Sequence, residues 1–230
     1  MARLIISLIL ACIVACNLRD KSPVFIYIKQ NGINGKVKKI STTSYWYNTN
    51  PSKDSTPITI YSYTLADTDG KITSSYNSSM FLDRNETLTE YVYKQGLNTT
   101  ARLINNDELR DSFVYIRYND TTYKRYQFSV RKKVITELTI TFLRKDGLPK
   151  EYKTIVYRDG RPKDTSYTFY KYSPDFNITT IISKKTSHNH EQTLTLRTIS
   201  RDIKGNPLKE IVLNDVNDTT QINLYTYEYY

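Results

Sequence analysis

The chain has almost no cysteine, and both cysteines lie near its start. Only Cys12 and Cys16 occur among 230 residues. A mature domain beginning after them cannot form an internal disulfide, a cysteine-ligated zinc site or a cysteine nucleophile. Such a domain has to be stabilised by burial and hydrogen bonding alone, which its length allows.

Histidine is equally scarce, with only His188 and His190 present. They would share one face of a strand, but no third ligand is indicated, so we expect no metal site. The sequence contains no nucleotide-binding loop, hydrolase elbow or zinc-protease helix. We therefore predict a non-enzymatic protein without a cofactor. An envelope hydrolase that uses a pair of carboxylates stays open, because acidic side chains are plentiful.

Long apolar runs are absent except at the N-terminus. A short basic segment, residues 1–3, precedes about 11 mostly apolar residues, 4–14, which is enough for a secretory leader but short of the ~20 residues of a membrane-spanning helix. The run ends in Ile13-Val14-Ala15-Cys16. This segment resembles the lipobox of bacterial lipoproteins.

The lipobox resemblance implies that residues 1–15 are a signal peptide and that residues 16–23 are a lipidated cysteine with a short tether. Cys16 would carry acyl chains such as palmitate, which hold a protein durably at a membrane. Cys12, which follows Ala11, is a rival acylation site, and an ordinary signal peptide is the other alternative. The expected location is the Gram-negative cell envelope, at the outer membrane, on its periplasmic or surface side.

The net charge of +10 is spread along the chain. The small basic clusters are Lys38-Lys39, Arg131-Lys132-Lys133 and Lys184-Lys185. The main interpretation of this excess is a dispersed, solvated surface charge. For an exported protein, anionic lipid headgroups or acidic glycans match this charge better than nucleic acid, which we do not expect, and an envelope protein is a further candidate partner.

Strand-forming residues dominate the rest of the chain. Tyrosine occurs 21 times and glycine only 7 times, which favours pleated strands over helices. In residues 138–142, alternation places Leu138, Ile140 and Phe142 inward and the two threonines outward. The same alternation puts three C-terminal tyrosines on one face: Tyr225, Tyr227 and Tyr229.

Turn signals separate these strands. Asn-Gly and Asp-Gly pairs, which supply the positive φ angles of tight hairpins, recur roughly every 10 to 20 residues. The sequence therefore predicts an all-β domain over residues 24–230, an antiparallel meander of about 13–15 strands. We expect a single extended or curled sheet, or an open half-barrel.

A weak internal repeat accompanies the turns. Residues 143–151 and 200–210 each place Asp and Gly before a Pro and then a Lys-Glu pair, and residues 158–162 and 81–91 are partial copies. These segments resemble the β-hairpin repeats of Rhs/YD-type and MORN-like proteins, which recur in Gram-negative envelope lipoproteins. The resemblance covers residues 58–230 loosely and implies an elongated meander without catalytic residues.

The sole tryptophan, Trp46, lies between Tyr45 and Tyr47. These aromatic residues are a candidate ligand platform, with simple packing as the alternative. Taken together, the residues predict an anchored envelope protein that binds a polymer or protein through a sheet face rich in Tyr, Lys and Arg. The alternatives are a carrier of lipids or lipoproteins with an apolar cavity, the hydrolase named above, and an immunity-type lipoprotein. Oligomeric state is left open.

Overall fold

The computed structural model describes residue 26 and residues 33–47, 56–79, 85–93, 99–187 and 190–230. Cys12, Cys16 and His188 lie outside these residues, as does the side chain of His190. Within the described part, no helix is long and apolar enough to cross a membrane. The predicted signal peptide and the acylation of Cys16 therefore stay predictions.

The described residues form fourteen antiparallel strands in chain order. This number lies within the predicted range, and the predicted all-β meander is confirmed. The strands are β1 Val37–Trp46, β2 Ile58–Ala66, β3 Ile72–Ser79, β4 Asn85–Val92, β5 Thr99–Asn105, β6 Glu108–Asn119, β7 Thr122–Ser129, β8 Val134–Leu143, β9 Pro149–Arg158, β10 Arg161–Tyr172, β11 Ile178–Lys185, β12 His190–Arg201, β13 Pro207–Leu213 and β14 Thr219–Tyr229.

The sheet closes into a barrel, so the predicted open sheet or half-barrel is wrong. β1 pairs with β2 on one side and with β14 on the other, and Thr43 lies opposite both Tyr61 and Leu224. Closure satisfies the backbone groups that both edges of an open sheet would expose. With strands about 4.8 Å apart and tilted by about 40°, the backbone diameter is about 28 Å. One layer of side chains cannot fill a barrel of that width.

β1 begins and β14 finishes at the same end of the barrel, here called the N-terminal end. The N–H of Ile72 donates to the carbonyl of Ile26 (2.7 Å), and Ile26 packs against two clusters of buried residues inside the barrel. Ile33 is buried against Val37 and Ile40. Ile26 and Ile33, which precede β1, therefore cover part of the barrel mouth.

Three hairpins at the N-terminal end share a five-residue turn, at residues 67–71, 144–148 and 202–206. In each, the first N–H donates to the fifth carbonyl and a glycine N–H at the fourth position donates to the first carbonyl, as in Gly205 to Asp202 (3.0 Å). Gly70, Gly147 and Gly205 all have positive φ. The predicted Asp-Gly turns at residues 69–70 and 146–147 are confirmed, and the five-residue turn accounts for two of the four repeat segments, residues 143–151 and 200–210.

The inward face of the barrel is more polar than the sequence predicts. Thr139 and Thr141 are 8% and 2% exposed and face the lumen, whereas Leu138, Ile140 and Phe142 point outward. The predicted orientation of β8 is therefore wrong. A wide lumen is lined by polar residues that hydrogen-bond to their neighbours in the wall, so the rule that apolar residues face inward does not hold here. The predicted shared face of the C-terminal tyrosines is confirmed, and it is lumenal.

Candidate functional site: a tyrosine-lined lumenal cavity

A cavity of about 760 Å³ occupies the lumen at the N-terminal end. This volume falls in the range of small-molecule sites in proteins. Its wall combines aromatic rings, aliphatic side chains, threonine hydroxyls and carboxylates. The lining includes Ile33, Ile40, Thr42, Thr64, Tyr152, Tyr170, Tyr172, Phe176, Thr179, Ile181, Leu196, Thr198, Arg201, Glu210, Tyr225 and Tyr227.

Strand alternation produces the aromatic part of the wall. Tyr170 and Tyr172 both face inward on β10, and the ring of Tyr170 meets the edge of Tyr152 at 5.4 Å between centroids. On β14 the rings of Tyr225 and Tyr227 stack at 6.5 Å. Tyrosine suits a partly filled lumen, because its ring contributes apolar contact while its hydroxyl keeps a polar partner.

Burial holds these phenols in their neutral form. It raises the pKa of Tyr172 to about 12, and neighbouring Tyr170 adds to the increase. Burial also raises the pKa of Tyr152 and of Tyr225, and the carboxylate of Glu210 raises that of Tyr225 further. These hydroxyls are therefore both donors and acceptors at physiological pH.

Glu210 brings a buried carboxylate to the cavity wall. It is 8% exposed; its Oε2 accepts the hydroxyl of Tyr225 (2.7 Å) and its Oε1 accepts the hydroxyl of Thr198 (3.2 Å). A buried carboxylate is costly unless hydrogen bonds compensate it, and here two hydroxyls do so. Carboxylate oxygens accept several hydrogen bonds each, so Glu210 keeps acceptor capacity toward the cavity.

The cavity mouth is built by two turns that Arg201 joins. Its guanidinium donates to the carbonyls of Phe176 (2.8 Å) and Gly205 (2.6 Å). Asp175 on the first turn accepts the hydroxyl of Ser173 (2.5 Å) and the N–H of Asn177 (3.1 Å). These hydrogen bonds, that of Ser173 first, lower the pKa of Asp175 to about 2. The rim is thus joined by hydrogen bonds and carries both signs of charge.

A second polar cluster lies on the lumenal face of β7 and β8. Arg125 donates to Glu137 and to the hydroxyl of Thr139 (3.1 Å), and its guanidinium lies over the ring of Phe113 at 5.3 Å. The Nε atom of Arg125 is buried and has no protein partner among the described residues. This cluster adds a cationic group to the lumen, but it is not part of the cavity wall.

The predicted aromatic platform lies away from this cavity. Trp46 and Tyr47, which are 46% and 39% exposed, mark the end of β1 opposite the N-terminal end, and Tyr45 points outward from the same strand. None of the three is among the cavity residues. Of the predicted aromatic groups, the structure brings the C-terminal tyrosines into the site.

Comparisons with known proteins give no family. No family model matches the chain, and no curated protein matches it. Among solved structures, it is similar to a porin-like protein from Bacteroides uniformis, with 13% identity, a TM-score of 0.48, and coverage of 84% of this chain and 98% of that one. A porin-like protein from Bacteroides vulgatus gives 11% identity, a TM-score of 0.49, and coverage of 85% and 99%. Because both TM-scores are low, we draw no conclusion from these two structures, and the fold is described from the pairing of the strands alone.

The cavity wall carries more carboxylates than cations. Asp146, Asp175 and Glu210 supply three carboxylates to the lining, against one guanidinium, that of Arg201. Among the described residues, no group of three or more His, Cys, Asp or Glu side chains is placed to hold a metal ion. Aromatic faces, hydroxyls and acceptor-rich carboxylates suit a ligand that offers hydroxyl donors and flat, weakly apolar faces.

Proposed function

We propose that this chain is an exported, lipid-anchored binding protein that holds a short, neutral, hydroxyl-rich ligand, such as a segment of an oligosaccharide, in the lumen of its barrel. The observation that carries the proposal is the tyrosine-lined cavity of about 760 Å³ with Glu210 in its wall. The predicted polymer-binding role is kept, but the site moves from an outer sheet face to the lumen.

The wall of the cavity favours a sugar over an anion or a bare hydrocarbon. The rings of Tyr152, Tyr170 and Tyr225 offer surfaces on which a sugar can stack. Thr198 and Glu210 offer hydrogen-bond partners. The excess of carboxylates in the lining disfavours anions. A hydrocarbon chain would leave the buried polar groups without partners, which costs free energy.

The outer wall of the barrel supports anchoring by acyl chains rather than passage through the bilayer. Arg102, Lys153 and Arg197 face outward near the middle of β5, β9 and β12. In a membrane-spanning barrel, each such charge near the bilayer midplane costs about 2–4 kcal/mol, and the outward face is an apolar band. The outer face also carries apolar side chains, among them Leu138 and Ile140, so it is the mid-strand cations that favour attachment through Cys16 over a spanning barrel.

The binding proposal is tested by calorimetric titration of a panel of neutral oligosaccharides into the purified protein. Replacing Tyr170 by leucine removes a lumenal ring and should weaken binding several-fold, up to about tenfold, since one aromatic contact contributes roughly 0.5–1.5 kcal/mol. The Glu210→Gln variant should weaken binding while the fold is kept.

The matched control is Tyr167→Leu, because Tyr167 lies on the same strand but faces outward beside Phe169. Its affinity should equal that of the wild type. Equal losses in the two variants, or saturable binding of no panel member, would reject the lumenal sugar site. Separately, intact-mass measurement of the protein from its native host should show acyl chains on Cys16 and no residues 1–15.

A lipid or lipoprotein carrier is the second candidate. The aliphatic part of the cavity supports it, since Ile33, Ile40, Ile181 and Leu196 line one continuous volume. Mass spectrometry of the native protein, purified without detergent, would then detect a stoichiometric lipid. A clean mass of the protein alone would remove this candidate and leave the sugar site.

A two-carboxylate hydrolase is supported less well. Such an enzyme needs one carboxyl group with a raised pKa as general acid. Asp175 has its pKa lowered to about 2 by Ser173 and Asn177, so it is ionised throughout the useful pH range. No observation favours the immunity-type role over these candidates.

A further inference from the structure

Two neighbouring hairpins at the end of the barrel opposite the N-terminal end carry six exposed cations. We call them the basic crown: Arg131, Lys132, Lys133, Arg158, Arg161 and Lys163. The hairpins join β7 to β8 and β9 to β10, so their tips are two strands, or about 10 Å, apart. None of the six forms an ion pair with a residue that the structure describes.

Two features of the β9–β10 hairpin expose its cations at a cost in stability. Arg158 and Arg161 are directly opposite each other at its tip, and like charges in that position destabilise a ladder. Lys163 is the additional residue of a β-bulge between Pro162 and Asp164, a device that re-aims a side chain. The hairpin also shapes a surface hollow of about 460 Å³, lined by three cations, Arg158, Arg161 and Lys163, together with Pro162 and one carboxylate, that of Asp159.

The backbone of the β7–β8 turn is strained at one residue. Lys133 has a φ of 56°, in the left-handed region that ordinary side chains rarely adopt. Glycine or asparagine would serve there at lower cost, yet the turn is Arg131-Lys132-Lys133. Both hairpins are thus less stable than other residues would make them, and both keep their positive charge. This combination points to selection for the charge itself.

The crown is bounded on the same rim by neutral and acidic groups. Lys184 and Lys185 are neutralised by Glu191 (2.7 Å) and Asp164 (3.2 Å). The β5–β6 turn carries exposed Asp107 and Glu108, and the β13–β14 turn carries exposed Asp215 and Asp218. A flat anionic membrane would meet these acidic turns as well as the crown, whereas a linear polymer can follow the two basic tips alone.

From this arrangement we propose that the basic crown binds a linear acidic glycan, one that bears carboxylate or phosphate groups along its chain. The two tips lie closer together than about two Debye lengths at physiological ionic strength, so their fields merge into one positive strip. The crown lies at the far end of the barrel from the lumenal cavity, so the inference stands independently of the ligand proposed there.

The test is fluorescence anisotropy with a labelled oligogalacturonate, its methyl-esterified form serving as the uncharged probe. The acidic probe should bind and the ester should not. Replacing either triplet of the crown by glutamine, as R131Q/K132Q/K133Q or R158Q/R161Q/K163Q, should weaken binding about tenfold at low salt. The control K145Q/K150Q/K171Q removes three exposed lysines elsewhere, and it should bind as the wild type does.

A single substitution separates a binding role from a structural one. Lys133→Gly relieves the left-handed backbone, so it should raise the melting temperature by about 2–4 °C while weakening the binding of the acidic probe. A variant that melts higher and binds less cannot owe its loss to misfolding. Equal binding of the crown and control triplets would overturn the proposal. Tighter binding to vesicles of phosphatidylglycerol, or to a single-stranded oligonucleotide, would overturn it in favour of those partners.

Discussion

Asn206 is the side chain on which we expect stability and the cavity mouth to depend most. It is fully buried; its Oδ1 accepts the N–H of Asn34 (2.6 Å) and its Nδ2 donates to the carbonyl of Asn34 (2.9 Å) and to the hydroxyl of Tyr229 (2.8 Å). The amide thus reproduces a backbone ladder between the segment before β1 and the β12–β13 turn. In Asn206→Ala all three hydrogen bonds are lost and partly buried polar groups are left unpaired.

The expected cost follows from those contacts. Three hydrogen bonds contribute about 1 kcal/mol each, and an unpaired buried group costs about 1–3 kcal/mol more, so Asn206→Ala should lower the free energy of unfolding by about 4–6 kcal/mol. Urea unfolding followed by circular dichroism measures it. The control Asn119→Ala removes an exposed turn side chain that accepts the N–H of Thr121 (3.0 Å), and it should cost about 1 kcal/mol or less. A loss below about 1 kcal/mol for Asn206→Ala would refute the reasoning.

Three further predictions concern pH and backbone geometry. Burial raises the pKa of Tyr115 and Tyr123, so the unfolded chain releases these two protons near pH 10 while the folded chain retains them. The free energy of unfolding should therefore fall above about pH 10, by up to about 1.4 kcal/mol per pH unit for each tyrosine. Urea unfolding at several pH values measures this fall. The lowered pKa of Asp175, about 2, gives stability that is present above about pH 4 and lost toward pH 2, so wild type and Asp175→Asn should converge in melting temperature across that window. Gly147 has a φ of 87° with open space around it, so Gly147→Ala should cost about 1–2 kcal/mol in urea unfolding through backbone strain alone.

Local features of this fold are accessible from the sequence. Frequent tyrosine and threonine predict strands, and the Asp-Gly pairs predict hairpins at residues 67–71 and 144–148, because both depend only on neighbouring residues. The stacking of Tyr225, Tyr227 and Tyr229 follows from simple alternation. These properties need no knowledge of distant contacts.

Closure of the barrel and the polarity of its inward face cannot be predicted from neighbouring residues. The pairing of Thr43 with Leu224 joins segments at opposite ends of the chain, and no local pattern encodes it. Once the barrel is closed and wide, its inside becomes polar, so Thr139 and Thr141 face the lumen and Leu138 faces outward. Glu210, which an alternation pattern treats as a surface residue, becomes part of the cavity wall for the same reason.

The lumen, its cavity and the proposed ligand all depend on the pairing of β1 with β14, and a cross-link tests that pairing directly. With Cys12 and Cys16 replaced by serine, the chain has no other cysteine, so a Thr43→Cys, Leu224→Cys pair can report one disulfide. Paired residues on antiparallel strands have Cα atoms about 4.5–5.5 Å apart, within disulfide range. A closed barrel predicts rapid formation of this disulfide and none between Thr43→Cys and Thr195→Cys, since Thr195 lies on β12. Failure of the first pair to form in folded protein would contradict the closed barrel.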